Sequence, residues 1–146
     1  MDDIRYCASA FVINHENKIL LIWHKKFNKY IQPGGHINDG ESAVDAAIRE
    51  VMEETHININ IIDNEPFSVS EYFNKVGHQI DYQFIAFAEN EDIRKNDESF
   101  KAGWFSYEEL NNIDIVDDLK DKVKEVLNSI KFREDVWKKE LLLEKN

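Results

Sequence analysis

Apolar residues recur along this chain in two rhythms. Tyr6 to Ile13 is a nearly continuous apolar run of strand length, and Lys18 to His24 carries a second one. The polar tetrad Asn14-His15-Glu16-Asn17 separates them, which predicts a hairpin. Lys25 to Lys29 reads as a polar loop, followed by a short extended piece ending at Pro33-Gly34-Gly35. From Ser42 to Thr55 the rhythm becomes helical: Val44, Ala47, Ile48, Val51 and Met52 follow i, i+3, i+4, i+7, i+8 and predict a buried stripe. Ser42 with Asp45 three residues on is a capping box, so the helix starts at Ala43. Ile57 to Ile62 alternates weakly, as a strand can. Phe67 to Asn74 and Gln79 to Ala88 predict two strands joined across Lys75-Val76-Gly77-His78. Glu89 to Phe100 is a polar loop, and Ala102 to Phe105 a short strand. Ser106-Tyr107-Glu108-Glu109 is a second capping box, opening a short helix. From Asp117 to about Leu143 an amphipathic helix or pair of helices places Leu119, Val123, Val126, Leu127 and Ile130 on one side. Strands interleaved with helices predict an α/β fold, a mixed sheet between helical layers.

Composition narrows the picture. The chain has 146 residues, a length that fits one domain spanning 1–146. Hydrophobic residues make up 42%, enough for a core despite 32% charged residues. The net charge of −11 repels phosphate backbones, which argues against non-specific nucleic-acid binding. A small phosphorylated ligand would then need metal ions or a local cluster of cations. Cys7 stands alone, so neither an intrachain disulfide nor a thiolate zinc site can form, and a reducing cytoplasm is expected. The N-terminus (Asp2, Asp3, Arg5) lacks a signal-peptide pattern. The longest apolar run, Ile19 to Trp23, is far short of the ~20 residues a membrane span needs.

Chemistry concentrates between Gly35 and Ile57. On a helix, Glu50, Glu53 and Glu54 fall within about a 100° arc. Like charges so placed repel by about 0.2–0.5 kcal/mol per neighbouring pair. Crowding them, rather than interleaving lysines, suits a cage for a hard divalent cation such as Mg²⁺, which takes carboxylate oxygens. Taken alone, the three acids read more simply as a solvated outer face, pointing away from the buried stripe. The preceding loop changes that reading, because Gly34, Gly35 and Gly40 permit a backbone that approaches an ion or phosphate closely. Arg49 can also pair with Glu41 and tie the loop to the helix. A calcium-binding structural helix is a third reading; against it, no run of alternating Asp/Asn ligands precedes the helix, as an EF-hand would need.

The conjunction Gly35-x5-Glu41-x7-Arg49-Glu50-Val51-x-Glu53-Glu54, closed by Ile57, resembles the signature of the Nudix hydrolases. The one departure is His56, where that family has a glycine that ends the helix at positive φ. Histidine enters that region more readily than most residues, so the turn is expected to survive. The resemblance implies an α/β/α sandwich with a mixed sheet. It also implies Mg²⁺-dependent hydrolysis of a pyrophosphate bond in a nucleoside diphosphate linked to another moiety, with Mn²⁺ a possible substitute. By position, Glu50, Glu53 and Glu54 would hold the metal with the Gly35 or Gly34 carbonyl. Arg49 and Glu41 would orient the loop–helix unit. The general base would be Glu53, Glu54 or an acid from a later loop: Glu98 is the first candidate, with Asp97, Glu91 and Asp92 as rivals. The catalytic set is thus Glu53, Glu54, Arg49 and Glu98. The expected partner is a small nucleotide, a (d)NTP or modified form first, with ADP-ribose, a nucleotide sugar or a dinucleoside polyphosphate as alternatives. Tyr72 resembles a weak marker of the last. A non-catalytic nucleotide sensor on the same fold is the reading from another class, disfavoured because all the clustered acids are kept. His24, Lys25, Lys26 and Lys29 could meet phosphates. Tyr6, Phe27, Tyr30, Tyr72, Phe73 or Tyr82 could stack on a base. A homodimer is compatible with the exposed aromatics.

Overall fold

The computed structural model describes residues 3–94 and 101–144, with residues 132–144 as backbone alone. Its elements are β1 (Ile4–Ile13), β2 (Ile19–His24), β3 (Lys29–Ile31), β4 (Gly34–His36), α1 (Ala43–Thr55), β5 (Ile59–Ile61), β6 (Ser68–Asn74), β7 (Gly77–Ala88), β8 (Ala102–Phe105), a 3-10 turn (Glu108–Asn112) and α2 (Leu119–Glu144). The single extended piece expected before Gly35 is two strands. Pro33, which has no N–H to give a ladder, separates them; its carbonyl accepts the Ala10 N–H at 3.1 Å instead.

β1 and β7 run parallel at the centre of the sheet, in register from Ile4 opposite His78 to Ile13 opposite Phe87. On the far side of β1, the C-terminal end meets β2 across the predicted hairpin, and the N-terminal half meets β4. On the far side of β7, β6 pairs antiparallel from Ser68 opposite Gln83 to Asn74 opposite Gly77, closing the second predicted hairpin, and β5 pairs with the other end. β2 also carries β3 and β8, so all eight strands form one mixed sheet. β4 can lie against β1 only because Gly34 lacks a side chain: a Cβ there would stand 2.4 Å from Ser9 Cβ.

The strand alternation sends side chains to two layers. Ala8, Ala10, Val12, Phe84 and Ala86 face α1, whose Ala46, Ala47 and Val51 are fully buried against that side. Phe11, Ile13, Leu21 and Ile85 face α2, which returns Leu119, Val123, Val126 and Ile130, the stripe the sequence predicts. The Ser106 capping box is present in both directions, Glu109 N to Ser106 Oγ at 3.2 Å and Ser106 N to Glu109 Oε1 at 3.1 Å, but it opens a 3-10 turn.

The α1 stripe needs correction. Ile48 is partly exposed and Met52 half-buried, whereas Ala46, Ala47, Val51 and Thr55 are buried. Small Ala46 and Ala47 let the helix sit closer to Ala8 on the sheet, which rotates the buried face away from bulky Ile48. Glu54 follows Ala47 by seven residues, a turn of only about 20° on the wheel. It therefore lies at the edge of the buried face, not on the outer face where the sequence places it.

Candidate active site

α1 starts where the sequence sets it. Ser42 is its N-cap, accepting the Asp45 N–H at 3.1 Å, and Ala43 is the first helical residue. At the other end His56 adopts φ 62°, ψ 25°, the left-handed conformation expected from the glycine it replaces. Its N–H returns to the Met52 carbonyl at 2.9 Å, and its Nδ1 lies 3.0 Å from the Arg94 carbonyl.

Between these ends Arg49 is a hub. It grips Glu41 with two bonds, Nε to Oε2 at 2.8 Å and Nη2 to Oε1 at 3.0 Å. Nη2 also donates to the His36 carbonyl at 2.8 Å, while Nη1 donates to Glu50 Oε1 at 3.0 Å and Glu53 Oε2 at 3.2 Å. The guanidinium thus ties β4, the loop and the helix into one unit, as the planar fork of an arginine allows. Hydrogen bonding to Arg49, aided by the Asn38 N–H, holds the Glu41 carboxyl below the usual carboxylate range.

On the inner side the glycine loop and the acids meet. A Cβ on Gly35 would stand 2.5 Å from Glu50 Cδ, so the carboxylate lies directly over the loop backbone. Glu54 Oε1 accepts the Gly34 N–H at 3.0 Å. Burial, joined by the charges of Glu50 and Glu53, pushes the Glu54 carboxyl up to about 8. Among the described residues, no three carboxylate, imidazole or thiol side chains close around one point. Glu50 and Glu53 turn to Arg49, and Glu54 turns to Gly34. The donor set still suits a hard cation: it is all oxygen, it includes a loop without side chains, and it carries repulsion that a divalent ion would relieve.

A cleft of about 940 Å³ opens from this point along the α2 side of the sheet. Glu54, Gly34 and Gly35 form part of its wall. His24, Lys26 and Lys29 of the expected basic group line it, and Lys25 does not. His24 stacks on Phe27, ring centres 4.1 Å apart, and Tyr72 stands in the same wall. The other aromatics lie elsewhere. Tyr30 packs against the α2-side core, Tyr82 packs on the α1 side, and Tyr6 and Phe73 are exposed. Glu91 and Asp92 line a separate, smaller pocket beside Met52 and His56. Glu98 and Asp97 lie outside the described residues.

Ser9, Gln32, Ser70, Asp81 and Lys122 also line the cleft, and sequence reading did not single them out. One signal was available. Gln79, Asp81 and Gln83 alternate along an otherwise apolar strand, and Ser9 interrupts the apolar run of β1 at the matching phase.

A NUDIX domain model matches residues 3–127. Over 55 residues the chain is 46% identical to a putative 8-oxo-dGTP diphosphatase from Bacillus subtilis, covering 36% of this chain and 37% of that protein. Over 92 residues it is 34% identical to a probable DHNTP pyrophosphohydrolase from Lactococcus lactis, covering 57% and 54%. The aligned stretches thus span about half or less of these curated relatives. In three dimensions it resembles a NUDIX-family hydrolase from Clostridium perfringens, with a TM-score of 0.76 and 24% identity over 86% of this chain and 97% of that one. The corresponding values for a C. elegans Ap4A hydrolase are 0.74 and 19%, over 87% and 98%. With the loop–helix motif folded as described and the match running over most of its length, the chain belongs to the Nudix hydrolase family.

Proposed function

We propose that this protein hydrolyses a pyrophosphate bond in a nucleoside diphosphate linked to another moiety, a (d)NTP or modified nucleotide first, with Mg²⁺ as cofactor and Mn²⁺ as a substitute. The observation that carries the reading is the meeting of loop and helix: the Glu50 carboxylate lies directly over the Gly35 backbone, and Glu54, on the cleft wall, accepts the Gly34 N–H at 3.0 Å. Glu50, Glu53, Glu54 and the Gly35 carbonyl would hold the ion. Once bound, it would neutralise the anhydride and acidify a water.

The chain's own residues account for the rest. Arg49 and Glu41 hold the loop against α1, so the Gly35 backbone and the Glu50 carboxylate keep a fixed spacing. Glu54, fixed by the Gly34 N–H at 3.0 Å on the cleft wall, would be held ionised by the bound ion and is then placed to accept a proton from that water. Glu53 is more exposed and bonded to Arg49, which makes it the weaker candidate for that step. Lys26 and Lys29 offset the acidic field along the cleft and suit the remaining phosphates. The names of the two curated relatives support a triphosphate substrate. A dinucleoside polyphosphate is the second reading, favoured by Tyr72 in the cleft wall.

The test is a panel of nucleoside triphosphates, nucleotide sugars and dinucleoside polyphosphates, incubated with Mg²⁺ or Mn²⁺ and resolved by chromatography. Metal-dependent cleavage of a pyrophosphate bond is expected. No cleavage of any member in either metal would end this reading.

A further inference from the structure

Behind the Gly34 strand the same cleft has a polar floor to which the proposed hydrolysis assigns no role. Asp81, on β7, is 8% exposed. Its Oδ2 accepts from Ser9 Oγ at 2.8 Å and from Gln83 Nε2 at 3.1 Å, while its Oδ1 is buried with no hydrogen-bond partner among the described residues. Ser9 Oγ in turn accepts from Gln32 Nε2 at 3.3 Å. Lys122 reaches in from α2, donating to Gln83 Oε1 at 2.8 Å and to Ser70 Oγ. An ammonium has three donors, and these two bonds use two of them.

An unpaired buried carboxylate oxygen is costly, because it has given up its water without gaining a donor. Burial pushes the Asp81 carboxyl up, against the bonds from Ser9 and Gln83, the charge of Lys122 and the nearby Gln32 amide. The free oxygen leaves the carboxyl able to take a donor that arrives with a ligand. The geometry also indicates which donor. The Gln83 carboxamide is already held from both ends, its oxygen by Lys122 and its N–H by Asp81. A ring lactam presents the same pair, a carbonyl beside an N–H.

We propose that Asp81 and Lys122 determine specificity by reading the lactam edge of a heterocyclic base, N–H to Asp81 and carbonyl to Lys122. The cleft therefore selects oxo-bases such as guanine over adenine, whose ring nitrogen and amino group present the reverse order. This deepens the hydrolase reading and rests on it for placing a nucleotide in the cleft.

The experiment compares dGTP, O6-methyl-dGTP and dATP with Mg²⁺, by initial rates and by calorimetric affinity. O6-methylation removes the lactam N–H while keeping the purine. The wild-type protein is expected to favour dGTP over both others by about tenfold or more, mainly in KM and affinity. Asp81→Asn should bring the dGTP to O6-methyl-dGTP ratio towards one, and Lys122→Met should lower it too. Equal treatment of dGTP and O6-methyl-dGTP by the wild type overturns the inference, as does binding none of the three. So does a folded Asp81→Asn protein that keeps the full ratio. Should that variant not fold, the wild-type comparison and Lys122→Met decide. Turnover without preference sinks the lactam site and leaves the hydrolase reading standing. Preference in affinity without turnover does the reverse.

Discussion

The outer rim of α1 and its inner edge carry acids of the same motif in opposite electrostatic states. At the rim, Arg49 grips Glu41 and Glu53 and reaches inward to Glu50, which lies over the Gly35 backbone, and the bidentate bond holds the Glu41 carboxyl low. At the inner edge, Glu54 has a backbone N–H but no cation bonded to it among the described residues, and its carboxyl is pushed up to about 8. The rim is internally compensated through Arg49, whereas the inner edge keeps a demand for positive charge, which the proposed hydrolysis assigns to the bound ion. Glu54→Gln removes it and should show the largest effect. Turnover should fall by about 10²-fold or more, with the fold intact because the amide oxygen can still accept from Gly34. Near-normal turnover would show that the inner acid is not part of the chemistry.

Arg49→Lys probes the rim. A lysine keeps the charge but cannot span Glu41, Glu50, Glu53 and the His36 carbonyl at once. Thermal or denaturant unfolding should report a loss of about 1–3 kcal/mol. Activity should fall as well, because the Gly35 loop is no longer fixed to α1. A variant as stable and active as the wild type would mean that the loop is held by its ladder to β1 alone. The contrast between the two variants is the point: the inner substitution should lose turnover without stability, the rim substitution both.

How much of this could be read beforehand follows from what each signal depends on. Spacing fixes local geometry, so the Ser42 cap and the Arg49–Glu41 pair were legible, and the resemblance to the Nudix signature supplied the left-handed turn at His56. The rotation of α1 about its axis was not, because it depends on Ala46 and Ala47 meeting Ala8 across the sheet. That rotation decides whether Glu54 is solvated or buried. The polar floor was less legible still. Ser9, Asp81 and Lys122 lie on three elements far apart in sequence, brought together by the parallel β1–β7 pairing and the return of α2.

The pH dependence of stability sharpens the comparison at smaller scale. Glu54 in the folded chain keeps its proton up to about pH 8, against an ordinary value of 4.5. Between those values the folded state binds one more proton than the unfolded state, so stability falls as pH rises through the window. Without metal, the melting temperature should therefore drop from about pH 5 to pH 8 more steeply for the wild type than for Glu54→Gln. Mg²⁺ or Mn²⁺ should raise it more at the upper end, where the ion faces a carboxylate and not an acid. Parallel curves for the two proteins, with and without metal, would remove Glu54 from the ion's surroundings.

The smallest expected effect is at His56, the motif's one departure. Two contributions oppose there. Left-handed backbone costs a residue with a Cβ about 1 kcal/mol relative to glycine. The contact of Nδ1 with the Arg94 carbonyl, which ties the following loop to the helix end, returns a similar amount. His56→Gly should therefore change unfolding free energy by less than about 1 kcal/mol. His56→Ala keeps the strain and loses the contact, so it should be less stable than either, by about 1–2 kcal/mol. The order of the three decides between the contributions. Alanine matching histidine would mean that the Arg94 contact contributes nothing, and glycine falling well below histidine would mean that this contact, not backbone strain, governs the position.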